Sequence, residues 1–148
     1  MKVLLVSSSG GHWVQLMRLK SAFKDAELIF ASTDRSYAQH NQEHEFFHVA
    51  DASRSNKFKL LLQGLAVFRL VFNERPDIVI TTGASIGLWA LVIGKWFDAR
   101  TIWIDSIANS EEMSLSGKKA ARYADLYLTQ WEHLSGADTG AEYAGAVI

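Results

Sequence analysis

Apolar residues follow two periods along the chain, one typical of buried strands and the other of amphipathic helices. Short continuous apolar runs predict strands covered on both faces, and longer segments with apolar residues three or four positions apart predict helices. The segments predicted as strands are Lys2–Val6, Glu27–Ala31, Glu45–Ala50, Asp77–Thr82, Arg100–Asp105 and Asp125–Thr129. The segments predicted as helices are His12–Lys24, Lys57–Arg75, Ile86–Phe97 and Gly117–Tyr123, with a short helix in the polar stretch Ser32–Glu43 and a last apolar segment at Glu142–Ile148.

Strands that alternate with helices indicate a parallel sheet with helices on both faces. We therefore predict an α/β fold, a Rossmann-like doubly wound, mostly parallel sheet, with residues 1–148 in a single domain because no linker or repeat divides them. In the strand order 3-2-1-4-5-6 the first and fourth strands are neighbours, and ligands bind at their carboxyl ends. Glycine turns follow both strands, at Ser9–His12 and Thr82–Ser85. The sequence thus predicts a ligand site between these turns.

Two of the predicted helices differ in their polar surface. On the first helix, Gln15, Arg18, Ser21 and Lys24 are predicted to lie away from the core. On the long helix, eleven of the fifteen residues between 58 and 72 are apolar, which leaves a narrower polar stripe than is usual for a helix on a sheet. Either this helix is deeply buried, or it lies on a membrane or a partner. The cations that would edge such a surface are Lys57, Lys59, Arg69 and Arg75.

The glycine turns and the residues at the same edge of the sheet supply candidate chemistry. Gly10 and Gly11 leave backbone N–H groups at a helix start, where an anion or hydroxyl binds, unless they form a plain connection. His12 would act as a general base on a substrate hydroxyl, or would be a helix-terminal histidine bonded to a backbone carbonyl. Asp105 would bind a substrate hydroxyl, orient a base or cap the next turn. Trp131 would be a packing residue or a platform for a sugar.

Composition and charge exclude several classes of function. Fifteen Lys and Arg against sixteen Asp and Glu give a formal net charge of -1, so we expect no nucleic-acid partner. The chain has no cysteine. The run His44–His48 matches the zinc motif H-E-x-x-H, but it lies in a predicted strand, whereas such a zinc site needs a helix. We therefore expect neither a metal nor a cofactor. No apolar stretch reaches the ~20 residues of a spanning helix. We therefore expect a soluble or peripheral, cytoplasmic protein.

Six segments resemble those of one known family in their order and spacing, and the resemblance spans essentially the whole chain. The segments are SSSGGHWVQLMRL, PDIVITTGAS, IWIDS, SLSGK, ADLYLTQWEHL and YAGAVI. The chain is similar to a family of split glycosyltransferases. Its members are the acceptor-side subunit of the two-part UDP-N-acetylglucosamine transferase that builds dolichol-linked oligosaccharide, and bacterial homologues that act in capsule and exopolysaccharide synthesis. A more distant likeness is to the amino-terminal half of the peptidoglycan transferase that makes lipid II.

The resemblance implies the amino-terminal half of a GT-B glycosyltransferase, with the UDP-sugar held by a separate donor-binding subunit. His12 matches the candidate base of the acceptor-side loop. The residues expected to bind a lipid-diphosphate-linked saccharide acceptor are Gly10, Gly11, Gly83, Ala84, Ser85 and Asp105. Asp105 stands where many relatives have Glu, and Asn109 stands where Arg is common.

The resemblance also implies a peripheral position on the inner face of the cell membrane, reached through the long helix and its four cations. The residues expected to dock the partner subunit are Trp131, Tyr143, Val147 and Ile148. Two alternatives remain open at this point. One is a non-catalytic scaffold that recruits and activates the partner transferase, and the other is a stand-alone Rossmann nucleotide binder.

Overall fold

The computed structural model describes residues 1–147, which form a seven-stranded parallel sheet covered by helices on both faces. The strands are β1 (Lys2–Ser7), β2 (Glu27–Ser32), β3 (Glu45–His48), β4 (Ile78–Thr81), β5 (Arg100–Ile104), β6 (Leu126–Thr129) and β7 (Glu142–Tyr143). The α-helices are α1 (Gly11–Leu19), α2 (Lys57–Glu74), α3 (Ala84–Trp96) and α4 (Leu115–Ala120). Turns of 3-10 helix lie at Lys20–Phe23, Arg35–His40 and Glu132–Leu134.

The strand order is β3-β2-β1-β4-β5-β6-β7. The first six strands therefore have the order assumed in the sequence analysis, and part of the last apolar segment adds a short edge strand. β1 lies at the centre of the sheet, where Leu4 pairs with Ile29 of β2 and Val79 of β4. Its side chains are buried from Val3 to Ser7, which explains why its sequence is continuously apolar rather than alternating. The carboxyl ends of β1 and β4 consequently lie side by side.

Separate apolar cores fill the two sides of the sheet. On one side, Val67 of α2 and Ile93 of α3 belong to a buried cluster with Leu4. On the other side, Leu16 of α1 belongs to a buried cluster with Leu5. A third cluster joins α4 to α3 and β5, so that α2, α3 and α4 share one side of the sheet and α1 covers the other.

Two details of the first helix differ from the prediction. Gln15 was expected away from the core, but only 6% of it is exposed, because its amide enters a polar network at the edge of the sheet. The α-helix also ends at Leu19, and the chain then tightens into the 3-10 turn Lys20–Phe23. The helical segment is therefore at its predicted position, but it is not α-helical throughout.

Local caps set the ends of the other helices. The Ser114 hydroxyl accepts a hydrogen bond from the Gly117 amide at 2.8 Å, so α4 begins two residues earlier than predicted. Asn56 caps α2 in the same way, accepting from the Lys59 amide at 3.0 Å. At its other end, α2 stops at a left-handed Arg75 (φ 48°), directly before Pro76, as the proline predicted.

Candidate functional site between two glycine loops

Two glycine loops meet at the carboxyl edge of the sheet. The first glycine loop (residues 8–11) follows β1 and leads into α1, and the second glycine loop (residues 82–85) follows β4 and leads into α3. They are adjacent because β1 and β4 are hydrogen-bonded neighbours. The structure therefore brings the predicted glycine turns together, with His12 between them.

His12 joins the two loops through reciprocal hydrogen bonds. Its Nδ1 lies 2.8 Å from the carbonyl oxygen of Thr82, and the Thr82 hydroxyl donates to the carbonyl oxygen of His12 at 2.7 Å. Because a carbonyl only accepts, Nδ1 must carry a proton, and in the neutral ring Nε2 then has a lone pair. His12 is therefore bonded to a backbone carbonyl, and the same bond prepares the opposite nitrogen to accept a proton.

The contact between the loops requires a glycine at position 83. Gly83 has a φ of +134°, and a Cβ atom at this position would lie 2.6 Å from Cε1 of His12. Ala84 also has a positive φ, +68°, which is unfavourable for a residue with a side chain. Backbone strain of this kind concentrates at functional sites, where the surrounding structure maintains it.

Two helix starts at this edge have backbone N–H groups without helical partners. The hydrogen bonds of α1 begin with the Val14 amide, which donates to the carbonyl oxygen of Gly10 at 3.1 Å, and neither α1 nor α3 has a side-chain cap. Such helix starts favour anions. The Gly10 amide itself donates to the Tyr37 hydroxyl at 3.0 Å. The amides that can serve a ligand in the first glycine loop therefore begin at Gly11 rather than at Gly10.

The Ser85 hydroxyl is committed to an internal contact. It donates to Oε1 of Gln63 at 2.8 Å, and Nε2 of Gln63 donates to the carbonyl oxygen of Ala50 at 3.1 Å. Gln63 is almost completely buried on α2. This chain of bonds holds α2 and the segment before it against the second glycine loop, so Ser85 can offer a ligand its backbone amide more readily than its hydroxyl.

Asp105 is placed at the same edge but is surrounded by donors from its own chain. It is 2% exposed, and its Oδ1 accepts from the Trp103 indole at 3.0 Å and the Ser114 hydroxyl at 2.6 Å. Its Oδ2 accepts from the Ser114 amide at 2.9 Å and the Asn109 side chain at 3.2 Å. Burial, followed by the negative charge of Asp105, raises the pKa of Tyr127 to about 12. These contacts favour the capping role for Asp105, because they organise the loop before α4.

A buried amide network that the sequence analysis missed links α1 to the end of the chain. Oε1 of Gln15 accepts from the Gln130 side chain at 2.5 Å and from the Ile107 amide at 3.2 Å, and Nε2 of Gln15 donates to the Ser106 hydroxyl at 3.3 Å. Oε1 of Gln130 accepts from the Val147 amide at 2.7 Å. A glutamine on an amphipathic helix ordinarily faces solvent, so the sequence carried no signal for this network.

The residues expected to dock a partner occupy different environments. The Trp131 indole donates to the carbonyl oxygen of Ile107 at 2.8 Å and packs against the α4 cluster, which supports its packing role. Tyr143 on the edge strand β7 is 44% exposed. The Val147 amide donates a hydrogen bond to the Gln130 side chain, as described above. Ile148 lies outside the described residues.

The outer face of α2 is an apolar stripe that remains exposed. Its members are Phe58, Leu61, Leu62, Leu65 and Phe72, with exposed fractions of 70%, 63%, 49%, 45% and 49%. Deep burial of the whole helix, one of the two interpretations of its sequence, is therefore wrong. The cations exposed beside the stripe are Lys57, Lys59 and Arg69. The Arg75 guanidinium instead lies over the Phe72 and Phe97 rings, at 4.8 and 4.4 Å from their centroids.

Among residues 1–147, no helix is both long and apolar enough to cross a membrane.

The three histidines with a spacing of four lie on different kinds of structure. His40 ends a 3-10 turn, His44 lies directly before β3, and Glu45–His48 of the H-E-x-x-H run form β3 rather than a helix. His44 packs against the Phe30 ring at 5.5 Å, and Nδ1 of His48 accepts from Arg35 at 3.2 Å. The run therefore lacks the helical geometry by which such a motif binds zinc.

Similar folds are found in larger enzymes. MurG of Acinetobacter baumannii matches with a TM-score of 0.77 and 12% identity, over 97% of this chain and 45% of that chain. A UDP-N-acetylglucosamine 2-epimerase of Rickettsia bellii matches with a TM-score of 0.72 and 16% identity, over 99% of this chain and 45% of that chain. This chain thus spans slightly less than half the length of each. The predicted fold, one Rossmann-like half of the GT-B architecture, is confirmed.

Sequence relatives cover nearly the whole chain. The UDP-N-acetylglucosamine transferase subunit ALG14 of Mus musculus is 25% identical over 181 residues, which include 100% of this chain and 83% of the mouse protein. The protein of that name in Homo sapiens is 24% identical, with 100% and 83% covered. The family model described as "Oligosaccharide biosynthesis protein Alg14 like" matches residues 3–147. The chain therefore belongs to the Alg14 family.

Proposed function

We propose that this protein is the acceptor-side subunit of a two-component glycosyltransferase of polysaccharide or oligosaccharide biosynthesis. In this proposal it binds a lipid-diphosphate-linked saccharide, and a separate donor-binding subunit holds the UDP-sugar. The family relatives are named as transferase subunits, and this chain has about half the length of the solved enzymes with its fold. The observation that carries the proposal is the position of His12 between two uncapped helix starts.

The proposed chemistry is the transfer of a sugar to an acceptor hydroxyl. The hydroxyl oxygen bonds to the anomeric carbon of the sugar, the bond from that carbon to the nucleotide diphosphate breaks, and UDP leaves with the electron pair. Nε2 of His12 takes the hydroxyl proton as the new bond forms. The Thr82 carbonyl oxygen, 2.8 Å from Nδ1, keeps the ring oriented and stabilises the positive charge that it acquires.

The backbone of the two glycine loops would hold the acceptor. The first amides of α1 and α3 lack helical partners and belong to the loops that His12 joins, so they favour phosphate or saccharide oxygens there. In this arrangement Gly11, Ala84 and Ser85 contribute amides, whereas Gly10 and Gly83 shape the loops. Asp105 contributes indirectly, by organising the loop beside the crevice.

The requirement for a second subunit is tested by activity. The chain alone is expected to transfer no sugar from a UDP-sugar to a lipid-diphosphate acceptor, because it supplies only one wall of the cleft. Co-expression with a second, donor-binding subunit is expected to restore turnover, measured as labelled sugar extracted with the lipid. Robust turnover by the isolated chain would contradict the proposal.

We further propose that the apolar stripe of α2 lies on the inner face of the cell membrane and makes the protein peripheral. The stripe combines large exposed apolar side chains with the neighbouring cations Lys57, Lys59 and Arg69, a combination that binds anionic bilayers. Arg75 lies at the end of the same helix, although it is partly engaged by aromatic rings. The exposed β7 and the adjoining tail remain the proposed docking region for the partner subunit.

Charge reversal tests the membrane surface. Lys59 and Arg69 would each contribute about 1 kcal/mol near an anionic headgroup. Replacing both with Glu is therefore expected to lower binding to phosphatidylglycerol-containing vesicles by more than about tenfold, since ~1.4 kcal/mol corresponds to a factor of ten. Vesicle co-sedimentation measures the effect. The control with the same charge change is Lys24→Glu with Arg100→Glu, two exposed residues outside α2. Equal binding by both double variants would contradict a membrane role for α2.

A further inference from the structure

Gln63 is a polar side chain among the buried residues of α2, and only 2% of it is exposed. A buried amide is costly unless its donor and acceptor atoms are both bonded. Here Oε1 accepts from the Ser85 hydroxyl at 2.8 Å, and Nε2 donates to the carbonyl oxygen of Ala50 at 3.1 Å. The Ser85 hydroxyl is farther from the carbonyl oxygen of Ala52, at 3.4 Å. Of these two contacts, the shorter one joins Ser85 to Gln63.

Ala84, the first residue of α3, has a strained backbone. Its φ is +68°, a value that is unfavourable for a residue with a Cβ atom. Such a conformation persists only while the surrounding structure holds the chain around it. Before Ala84, the Gly83 amide donates to the Thr81 hydroxyl at 3.1 Å. The Thr82 hydroxyl also donates to the carbonyl oxygen of His12 at 2.7 Å. The part of the second glycine loop before Ala84 is thus fixed without a side chain from α2.

After Ala84, the loop is held by the side-chain hydrogen bond from Ser85 to Gln63. The packing of α2 on α3 keeps the two partners of this bond within reach of each other. The residue after Gln63 is Gly64, and a Cβ atom at that position would lie 2.8 Å from the Trp89 side chain of α3. The two helices therefore approach closely beside the bond. In this way α2 supports the chain on the far side of the strained residue.

We propose that Gln63 is a positioning residue for the acceptor. Its hydrogen bond to Ser85 maintains the positive φ of Ala84 and thereby the direction of the Ala84 and Ser85 amides. Without this bond, Ala84 relaxes to a favourable negative φ and the two amides change direction. The apparent affinity of a ligand falls with the fraction of molecules in the binding-competent conformation, so the defect is in acceptor binding. His12 keeps its own bond to the Thr82 carbonyl oxygen, so proton transfer is unaffected.

This inference rests on the proposed function, because it gives Gln63 a role in holding the acceptor, but its first test needs neither the partner subunit nor turnover. In NMR spectra of the full chain, the nuclear Overhauser effect between the amide and α protons of Ala84 is strong when φ is positive, since the two protons are then close. Gln63→Met has a side chain of similar length and removes both bonds, so it should lose this strong signal. Gln42→Met makes the same change at an exposed glutamine and should keep the signal.

The second test is the steady-state kinetics of the reconstituted two-subunit enzyme. Gln63→Met is expected to raise KM for the lipid-diphosphate acceptor by about tenfold, as when about one molecule in ten keeps the competent loop, and to change kcat by less than about twofold. Ser85→Ala removes the other end of the bond but keeps the backbone amide, so it should raise KM to a similar extent. This variant carries both tests if Gln63→Met does not fold. Gln42→Met should have the KM and kcat of the parent.

A glycine at position 84 separates support of the strained residue from an ordinary structural role. Glycine adopts positive φ values about as readily as negative ones, so Ala84→Gly removes the strain that Gln63 is proposed to hold. Compared with Ala84→Gly alone, the double variant with Gln63→Met should raise KM by less than about threefold, because the two changes act on the same conformation and are not additive. A merely structural role for Gln63 would raise KM by the same ratio in both backgrounds.

Contrary results at either level overturn the inference. A strong Ala84 signal in both Gln63→Met and Ser85→Ala would show that the bond does not hold the loop. Loss of the signal with an unchanged KM would show that acceptor binding does not depend on this loop conformation. A fall in kcat alone would mean that Gln63 acts on His12 instead. If the unsubstituted pair shows no turnover, the proposed function fails, while the Ala84 signal still decides whether Gln63 holds the loop.

Discussion

Replacing His12 with Ala is expected to lower turnover of the reconstituted two-subunit enzyme by about 10²–10⁴-fold, the usual contribution of a general base. The substitution removes Nε2, the atom proposed to take the acceptor proton. Pair formation should persist, because the substitution removes none of the side chains of the proposed docking region. Turnover is measured with a UDP-sugar and a lipid-diphosphate acceptor, and pair formation is measured by co-purification.

Two further variants separate loss of the base from loss of loop geometry. His12→Asn retains an N–H group near the position of Nδ1 for the Thr82 carbonyl but has no Nε2, so it should be as inactive as the Ala variant. His40→Ala makes the same substitution at an exposed histidine and should keep full turnover. Unchanged turnover in His12→Ala would instead favour the alternative of a non-catalytic scaffold that activates its partner.

Replacing Asp105 with Ala is expected to lower the free energy of unfolding by about 3 kcal/mol or more. The carboxylate accepts four hydrogen bonds and is 2% exposed. Its removal would leave the Trp103 indole and the Ser114 amide without partners inside the protein. Urea unfolding of the isolated chain, followed by circular dichroism, measures the change.

A matched substitution tests whether this effect is specific to the buried carboxylate. Asp25→Ala changes an exposed aspartate and should alter stability by less than about 0.5 kcal/mol, as surface substitutions do. If Asp105→Ala were as stable as Asp25→Ala yet inactive in the reconstituted pair, the capping role would be excluded. Asp105 would then return to the acceptor-binding role that the resemblance implied.

The parallel sheet could be predicted because its strands are buried on both faces. In a doubly wound sheet such strands must be apolar throughout, so Val3–Val6 and Ile78–Thr81 are visible as continuous runs. The glycine turns after them could be predicted for a similar reason, since φ values such as the +75° of Gly10 and the +134° of Gly83 exclude most other residues. Once the strand order is assumed, the two turns have to be neighbours.

The polar interior could not be predicted, because its partners are far apart in the chain. Gln15 and Gln130 are separated by 115 positions, and each taken alone is an ordinary surface residue. Asp105 was visible as a candidate, but only the surrounding Ser114, Asn109 and Trp103 donors indicate that it organises a loop. Hydrogen bonds of this kind depend on the relative positions of two elements in the folded protein. The periodicity of apolar residues along the chain does not encode those positions.

The sequence by itself determined the alternation of strands and helices, the doubly wound parallel sheet and the two glycine turns after its first and fourth strands. These features follow from backbone constraints and from burial patterns that are local in the chain. Only the tertiary structure decided which nitrogen of His12 is left to accept a proton and that the outer face of α2 is exposed. Each of these depends on distances between segments that are remote in sequence, and such distances exist only after the chain has packed.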